Sequence, residues 1–365
     1  MKSANKIKMM FLHLKQWARR HRKLSWFIIS LSVIIIGASA SVLVLLLRPQ
    51  STVPAVVVNT QVEEPKLEIK YYSPLTGDLV KAESDTKQAV TGIMIENSPD
   101  ARPQSGLKNS GIVFEAIAEG GITRFLVLYQ QEKPTLIGPV RSLRLYDVDW
   151  VAAFDASIGH VGGSAAALRE VRNGNYRDID QFFNSGSYWR ASDRYAPHNV
   201  YTNFNRLDAL NKAKGYTTSN FTGFTRQDGG AVEIPDATSI DIKISGFLYD
   251  SHYTYNAKNN NYARNQAGVP HLDREGGQIT PDVVIAMNVN EVTVFEDGWR
   301  ENITTIGQGK ATIFQNGTAI KATWHKKSKT SQIYFTDAEG EEIALNRGQT
   351  WIAAVPNGEG SVSWQ

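Results

Sequence analysis

Polar residues and glycines that could carry chemistry concentrate between Glu96 and His198 of the 365-residue chain. Within this region, residues 155–164 read as a strand followed by a Gly-Gly turn, and an alanine-rich helical pattern begins directly afterwards. A serine at the start of a helix can cap it, and the exposed amides there favour an anion. The glycine spacing of a Walker loop or a dinucleotide fingerprint is absent. The pattern therefore predicts either a simple helix cap or an anion cradle formed by Gly162, Gly163 and Ser164.

Arginines lie at predicted turns around this segment. Arg141 and Arg144 precede its strand, while Arg102 and Arg124 lie beside other strands. Guanidinium groups bind phosphate and carboxylate through paired hydrogen bonds. The alternative for each arginine is a surface ion pair with a nearby glutamate. The anion-binding hypothesis assigns these residues to the ligand: Arg102, Arg124, Arg141, Arg144, Gly162, Gly163, Ser164, Glu96 and Arg194.

Three side chains are candidates for acid or base catalysis: His160, Glu119 and His198. A hydrogen-bonded structural role is the alternative for each histidine. Ala166 stands where the nucleophile elbow of a serine hydrolase requires its second glycine. The sequence has no His-Glu-x-x-His helix, no cysteine and no calcium-type acidic spacing, so we expect neither a metal site nor a cofactor.

The elements that must position these residues alternate between strands and helices before residue 240. Periodicity predicts strands at 89–96, 111–118, 124–130 and 156–161, and helices at 164–172 and 206–214. After residue 240, short strands alternate with Asn and Gly turns. We therefore predict an α+β protein with a mixed α/β domain at 71–240 and a mostly β domain at 241–365.

The N-terminal region has the pattern of a membrane anchor. Residues 24–47 contain neither charge nor proline and are long enough, as a helix, to cross a hydrocarbon core of roughly 30 Å. Residues 1–23 are basic without an acidic residue, which places that end in the cytoplasm. Residues 48–70 read as a linker. A cleaved signal peptide is the alternative, but the apolar region of a signal peptide is typically shorter than residues 24–47. We expect a single-pass protein in the cell membrane with its folded part outside the cytoplasm.

The charge distribution argues against nucleic acid as a partner. Nine of the 39 Lys and Arg residues lie within the first 48 residues, so the remainder carries 30 basic against 36 acidic residues. A nucleic-acid-binding domain would need a basic face on its folded part. The absence of cysteine also removes the residue that bacterial lipoproteins acylate, so we expect the helix to replace lipid attachment.

Several motifs, in order along the chain, resemble the YerB-like family of bacterial envelope proteins. They are Ile95–Ser98, Ala101–Leu107, Glu119–Phe125, Gly138–Ser142, His160–Ser164 and Asp193–Asn199. The resemblance implies a two-part domain of unknown function attached outside the cytoplasmic membrane. A weaker similarity is to LytR-CpsA-Psr phosphotransferases, whose strand-end arginines hold a polyprenyl pyrophosphate, although their aspartate motifs are not evident in this chain.

Three functions follow from these observations. The first is a non-catalytic envelope module that binds an anionic precursor, lipid-linked or glycan, or a peptidoglycan fragment in an arginine-lined cleft. The second is an enzyme that transfers glycan or phosphate groups in the envelope. The third is a scaffold that contacts other envelope proteins through exposed aromatic residues of the β region.

Overall fold

The computed structural model describes residues 2–28, 30–33 and 69–365. The chain divides into two compact units, Met1–Leu67 and Glu68–Gln365. In the first unit, helix α1 spans Lys2–Arg20, and residues 22–28 and 30–33 are also helical. Among the described residues, no helix combines the length and apolar character needed to cross a bilayer. Most of the predicted anchor (24–47) and nearly all of the predicted linker (48–70) lie outside the described residues.

The second unit consists mainly of strands. Its helices are α2 (Leu145–Val151), α3 (Ala165–Asn173) and α4 (Phe204–Ala213). Its strands up to residue 250 are β1 (Tyr71–Tyr72), β2 (Leu79–Val80), β3 (Thr91–Glu96), β4 (Ile112–Glu119), β5 (Ile122–Tyr129), β6 (Ser157–Gly159), β7 (Arg177–Asp178), β8 (Trp189–Arg190), β9 (Val200–Tyr201), β10 (Arg226–Gln227) and β11 (Ser239–Lys243). The remaining strands are β12 (Ser251–Asn256), β13 (Asn261–Gln266), β14 (Val269–Pro270), β15 (Leu272–Asp273), β16 (Gly277–Gln278), β17 (Val283–Val289), β18 (Glu291–Val294), β19 (Arg300–Ile303), β20 (Gly307–Gln315), β21 (Thr318–Lys326), β22 (Tyr334–Thr336), β23 (Leu345–Asn346), β24 (Thr350–Pro356) and β25 (Ser361–Trp364).

The largest sheet in the described part of the chain has ten strands in the order β22-β21-β20-β17-β24-β4-β5-β3-β6-β7. Strand β24 pairs in parallel with β17 on one side and with β4 on the other. Strands from before and after residue 240 therefore belong to one continuous sheet. A second sheet has five strands in the order β14-β13-β12-β11-β25.

Both faces of the large sheet are covered, which explains why its central strands are apolar throughout rather than alternating. Successive residues of a strand point to opposite faces, so Val283 and Ile285 pack with α2 and α3, whereas Val284 and Ala286 pack with the second sheet and α4. The unit thus has three layers: helices, the ten-stranded sheet, and the five-stranded sheet with α4.

These observations confirm the predicted α+β class and the mostly β character of the C-terminal region. Observed β3, β4 and β5 overlap their predicted spans, and α3 and α4 differ from the predictions by one or two residues at each end. Helix α2 was not predicted, since its seven residues are too few to show a helical period. The division of the folded part at residue 240 stays a prediction.

A buried ionic network joins the second sheet to the large one. Arg264 on β13 donates to Glu115 Oε2 on β4 at 2.8 Å, and both side chains are fully buried. Trp351 Nε1 donates to the same carboxylate oxygen at 2.9 Å, and its ring lies 4.5 Å from the guanidinium carbon. Arg264 also bonds His271, whose Nε2 lies 3.0 Å from Gln104 Oε1. We refer to these five residues as the buried network.

Removal of one partner should leave the other charge buried without compensation. We expect Glu115→Gln to reduce the free energy of unfolding by about 3–5 kcal/mol, measured by urea denaturation. Glu83→Gln is the matched control, because Glu83 pairs with Lys87 on the surface and exposed pairs contribute little. Equal stability losses for the two variants would contradict the prediction.

The network also predicts a dependence of stability on pH. Burial, assisted by the charge of Arg264, lowers the pKa of His271 well below 6.5. The unfolded chain therefore binds a proton near pH 6.5 that the folded chain does not, and stability from this residue is lost as pH falls below that value. We expect unfolding free energies to fall less steeply between pH 7 and 5 in His271→Gln than in the wild type, by up to about 1.4 kcal/mol per pH unit. Parallel curves would show that His271 is not responsible.

Candidate functional site

The Gly-Gly turn predicted from the sequence connects β6 to α3 and is held against residues 141–144. Gly162 has a φ of +60°, a conformation that favours glycine. A side chain at Gly163 would place its Cβ 2.9 Å from the carbonyl oxygen of Leu143. The Leu143 amide donates to Gly162 O at 3.0 Å, and the Ser164 amide donates to Leu143 O at 3.1 Å. The close approach therefore fixes the arginine-bearing segment beside the turn.

Ser164 caps α3, as predicted. Its Oγ accepts a hydrogen bond from the Ala167 amide at 3.4 Å. The first free amide of the helix, that of Ala165, donates to Asp297 Oδ2 at 2.9 Å. Asp297 belongs to the turn between β18 and β19. The anion position at the start of this helix is thus filled by a carboxylate of the same chain.

Three arginines converge on the carboxylate of Glu119, and we call these four residues the Glu119 cluster. Arg124 contributes a contact of 3.3 Å to Oε1, while Arg300 donates to Oε2 at 2.8 Å and Arg144 also bonds Oε2. Backbone carbonyls hold two of the arginines: Arg124 donates to Ser142 O at 2.8 Å, and Arg144 donates to Leu143 O at 2.9 Å.

An irregularity in β4 brings Glu119 to this position. The pairing of β4 with β5 shifts between Ile117 and Glu119, as in a β-bulge. Regular alternation would put Glu119 on the same face as Glu115, which contacts Arg264 in the buried network. Arg124 pairs with Ala116 and so lies on the opposite face. A bulge redirects side chains, and here it allows Glu119 to meet Arg124.

The cluster carries an excess of positive charge. Three guanidinium groups face the carboxylate of Glu119, and Arg300 also lies 3.2 Å from Asp297 Oδ1, so the formal charges of these five side chains sum to about +1. Burial acts to raise the pKa of the Glu119 carboxyl, but Arg124, Arg144 and Arg300 together hold that pKa below its ordinary value. Arg124 Nε is buried and finds no hydrogen-bond partner among the described residues.

A second polar group surrounds Glu96, at the end of β3. Its Oε1 lies 3.0 Å from His198 Nδ1, 3.0 Å from Ser98 Oγ and 3.2 Å from Arg141 Nε. A neutral imidazole that donates to the Glu96 carboxylate does so from Nδ1, and Nε2 of the same ring lies 4.0 Å from Asp100 Oδ2. His198 lines a cavity of about 700 Å³ together with Arg194, Tyr195 and Arg274.

The predicted residues therefore fall into separate groups. Arg124 and Arg144 share the Glu119 cluster, whereas Arg141 and His198 contact Glu96. Arg102 bonds the carbonyls of Asn97 and Leu248, and Arg194 bonds those of Asp100 and Pro103. Contacts within the chain thus occupy these last two guanidinium groups.

His160 is fully buried, and both of its ring nitrogens are bonded. Nδ1 lies 2.8 Å from Gly162 O, and Nε2 lies 3.0 Å from Asp178 Oδ1. These contacts hold the Gly-Gly turn and leave the ring no open nitrogen for a substrate. Within the described ranges, His, Asp and Glu side chains form no group of three that could hold a metal ion.

Sequence reasoning missed two contributors to this region, Asp297 and Arg300. They follow Glu119 by well over a hundred residues, so no local spacing could connect them to it. The signal available was the segment 295–300, whose Asp-Gly pair between short strands is typical of a hairpin turn.

Fold and site together define a two-part α+β protein with a cation-rich cluster near the N-terminus of a capped helix. The profile described as "Protein of unknown function (DUF3048) N-terminal domain" matches residues 75–217, and that of the corresponding C-terminal domain matches residues 240–352. The chain belongs to this family, which confirms the resemblance found in the sequence.

Two comparisons involve a protein of Bacillus subtilis. YerB of strain 168, named as a candidate lipoprotein, is 31% identical over 293 residues, which cover 79% of this chain and 87% of YerB. The crystal structure of YerB matches with a TM-score of 0.72 and 30% identity, and the match covers 80% of this chain and 100% of the crystallised one.

Proposed function

We propose that this chain is an extracytoplasmic, membrane-anchored module that binds an anionic ligand of the cell envelope at the Glu119 cluster. The lipoprotein name of YerB supports an envelope location. The basic residues 1–23 followed by the apolar residues 24–47 support a helical anchor in place of a lipid. The transmembrane orientation is part of the proposal.

One observation carries the binding proposal: three arginines share one carboxylate at a position that solvent reaches. The Glu119 side chain is 30% exposed and that of Arg300 is 24% exposed, while Arg124 and Arg144 are buried beneath them. Arg300 pairs with both Glu119 and Asp297, so an anion that approaches it meets the remaining excess positive charge of the cluster in a partly desolvated setting, where charge-assisted hydrogen bonds are strong.

The chemistry of guanidinium groups restricts the ligand to phosphate or carboxylate groups. In a cell envelope, phosphorylated lipid or glycan precursors and peptidoglycan fragments carry them. Arg300 is the arginine best placed for first contact, because the backbone carbonyls that it bonds belong to its own hairpin, whereas the other two arginines bond carbonyls of the 141–144 segment.

We expect Arg300→Ala to weaken ligand binding by about 10- to 100-fold, because one charge-assisted hydrogen bond is lost. The measurement is calorimetric titration of residues 68–365 with undecaprenyl phosphate and with muropeptides. This fragment is suitable because residues 68–365 form a separate compact unit. The crystallised YerB chain supports the choice, since all of that chain is matched by 80% of the present one.

Arg206→Ala provides the matched control. Arg206 is an exposed arginine on α4 that contacts backbone carbonyls and Trp189 but none of the Glu119 cluster. We expect its removal to leave affinity unchanged. Failure of both ligands to bind the wild type, or equal affinity of Arg300→Ala and wild type, would reject the proposed site.

A second candidate function, transfer of a phosphate or glycan group, is favoured by the Glu96–His198 contact. Glu96 is buried, its Oε1 lies 3.0 Å from Nδ1 of His198, and the His198 ring lines the 700 Å³ cavity. This is the arrangement of a general base. In the step it would serve, an acceptor hydroxyl gives its proton to Nε2 while its oxygen attacks phosphorus. The bond to the leaving oxygen breaks, and that oxygen takes the proton.

If this enzyme function is correct, His198→Ala should lower product formation at least about 100-fold while ligand affinity is retained. Products from a lipid pyrophosphate donor and a muropeptide acceptor can be followed by mass spectrometry. His252→Ala is the control, since His252 pairs with Asp241 on the second sheet. No product from the wild type, or undiminished product from His198→Ala, would eliminate the enzyme function and leave the binding module.

A further inference from the structure

The hairpin that supplies Arg300 ends in two exposed aromatic rings. Strands β18 and β19 pair up to Val294 and Arg300, so residues 295–299 form the turn. Phe295 is 69% exposed and Trp299 is 66% exposed. Their ring centroids lie 5.6 Å apart with the planes nearly perpendicular. We call this pair the aromatic tip.

The acidic residues of the same turn bond partners within the chain. Glu296 bonds Arg169 on α3, and Asp297 bonds the Ala165 amide as well as Arg300 at 3.2 Å. These contacts fasten the turn to α3 and satisfy both carboxylates within the chain. Phe295 and Trp299 are the large apolar side chains that this turn exposes.

The aromatic tip and the Glu119 cluster are neighbours. Arg300 follows Trp299 directly, and its Nη1 donates both to Glu119 Oε2 at 2.8 Å and to Trp299 O at 3.1 Å. A single short segment therefore presents an apolar surface beside a group of arginines. This combination matches a ligand with an anionic head and an apolar tail.

We propose that the aromatic tip and the Glu119 cluster together form a docking surface for a membrane lipid with a phosphate headgroup. The inference rests on the proposed function, because the phosphate would occupy the same arginine cluster. Tryptophan and phenylalanine rings suit the boundary between headgroups and acyl chains, and arginine attracts the anionic heads there.

Charge complementarity favours a lipid over a second apolar protein surface. An apolar protein partner would leave the excess positive charge of the cluster desolvated and unpaired, which is costly. A phosphate headgroup neutralises that charge, while its acyl chains cover Phe295 and Trp299. A soluble sugar could stack on Trp299, but its binding would not depend on an acyl chain. Probes with and without acyl chains therefore distinguish a sugar from a lipid.

Three short-chain or chain-free probes test the inference by calorimetry with residues 68–365. Dioctanoyl phosphatidic acid carries headgroup and chains, glycerol 3-phosphate carries the headgroup alone, and dioctanoylglycerol carries the chains alone. We expect the phosphatidic acid to bind at least about tenfold more tightly than either other probe, since only this probe combines contacts of the headgroup with burial of acyl CH₂ groups.

Variants assign the contributions. The double variant Phe295→Ser/Trp299→Ser should reduce phosphatidic acid affinity to that of glycerol 3-phosphate and leave glycerol 3-phosphate binding unchanged. Arg300→Ala should weaken both. Phe247→Ser removes an equally exposed phenylalanine from another element and should change neither.

The two proposals fail in distinguishable ways. Equal affinity for phosphatidic acid and glycerol 3-phosphate would overturn the lipid inference and leave the anion site. Muropeptide binding that requires Trp299 would make a glycan the occupant and also overturn it. Binding of dioctanoylglycerol as tight as that of phosphatidic acid would show that the headgroup site is not used, and would count against both proposals.

Discussion

The salt bridge between Glu115 and Arg264 is the interaction on which the arrangement of the folded unit depends. Two charges without solvent contact are tolerated only when each is paired and hydrogen-bonded. Burial opposes the charge of Arg264, but Glu115 and Tyr253 together raise the pKa of its guanidinium above the ordinary value. Trp351 and Thr123 donate further hydrogen bonds to Glu115. The pair fixes the position of the second sheet on the large one, because a shift of one sheet against the other would leave a buried charge without its partner.

The hairpin formed by β4 and β5 links this network to the candidate site. Thr123 bonds Glu115 on one face, and its neighbour Arg124 bonds Glu119 on the other. A rigid core on one side of the sheet therefore positions the arginine cluster on the opposite side. Sites of this kind need such support, since a guanidinium group that is free to move loses entropy when it binds a ligand.

Much of the fold could be predicted from local sequence. Strands β3, β4 and β5 have long apolar runs, and the Gly162–Ser164 turn with its capped helix follows from glycine and serine preferences. Helix α2 could not be predicted, because its helical character comes from burial of Tyr146, Val148 and Trp150 rather than from a long period. Its first turn is stabilised by Asp147, which accepts from the Arg144 amide at 3.0 Å.

The grouping of the arginines depends on contacts that no spacing reveals. Types and turn positions pointed to Arg124 and Arg144, and the structure joins them. Arg141 lies nearby in sequence but contacts Glu96, because successive residues of an extended segment point to opposite sides and Arg141 is three residues from Arg144. Arg300 completes the cluster from a hairpin that only the tertiary fold brings close.

The start of α3 shows how a local preference of the sequence can acquire a different meaning in the folded protein. Residues 162–164 do form a position suited to an anion, but Asp297 occupies it. By filling that position, the carboxylate fastens the hairpin to the helix and thereby carries Arg300 to Glu119. The helix dipole is thus used for internal assembly, and the capacity to attract an external anion lies with the arginines that this assembly brings together. Local chemistry specified where a negative charge belongs, and the tertiary fold determined that the charge is supplied by the protein itself.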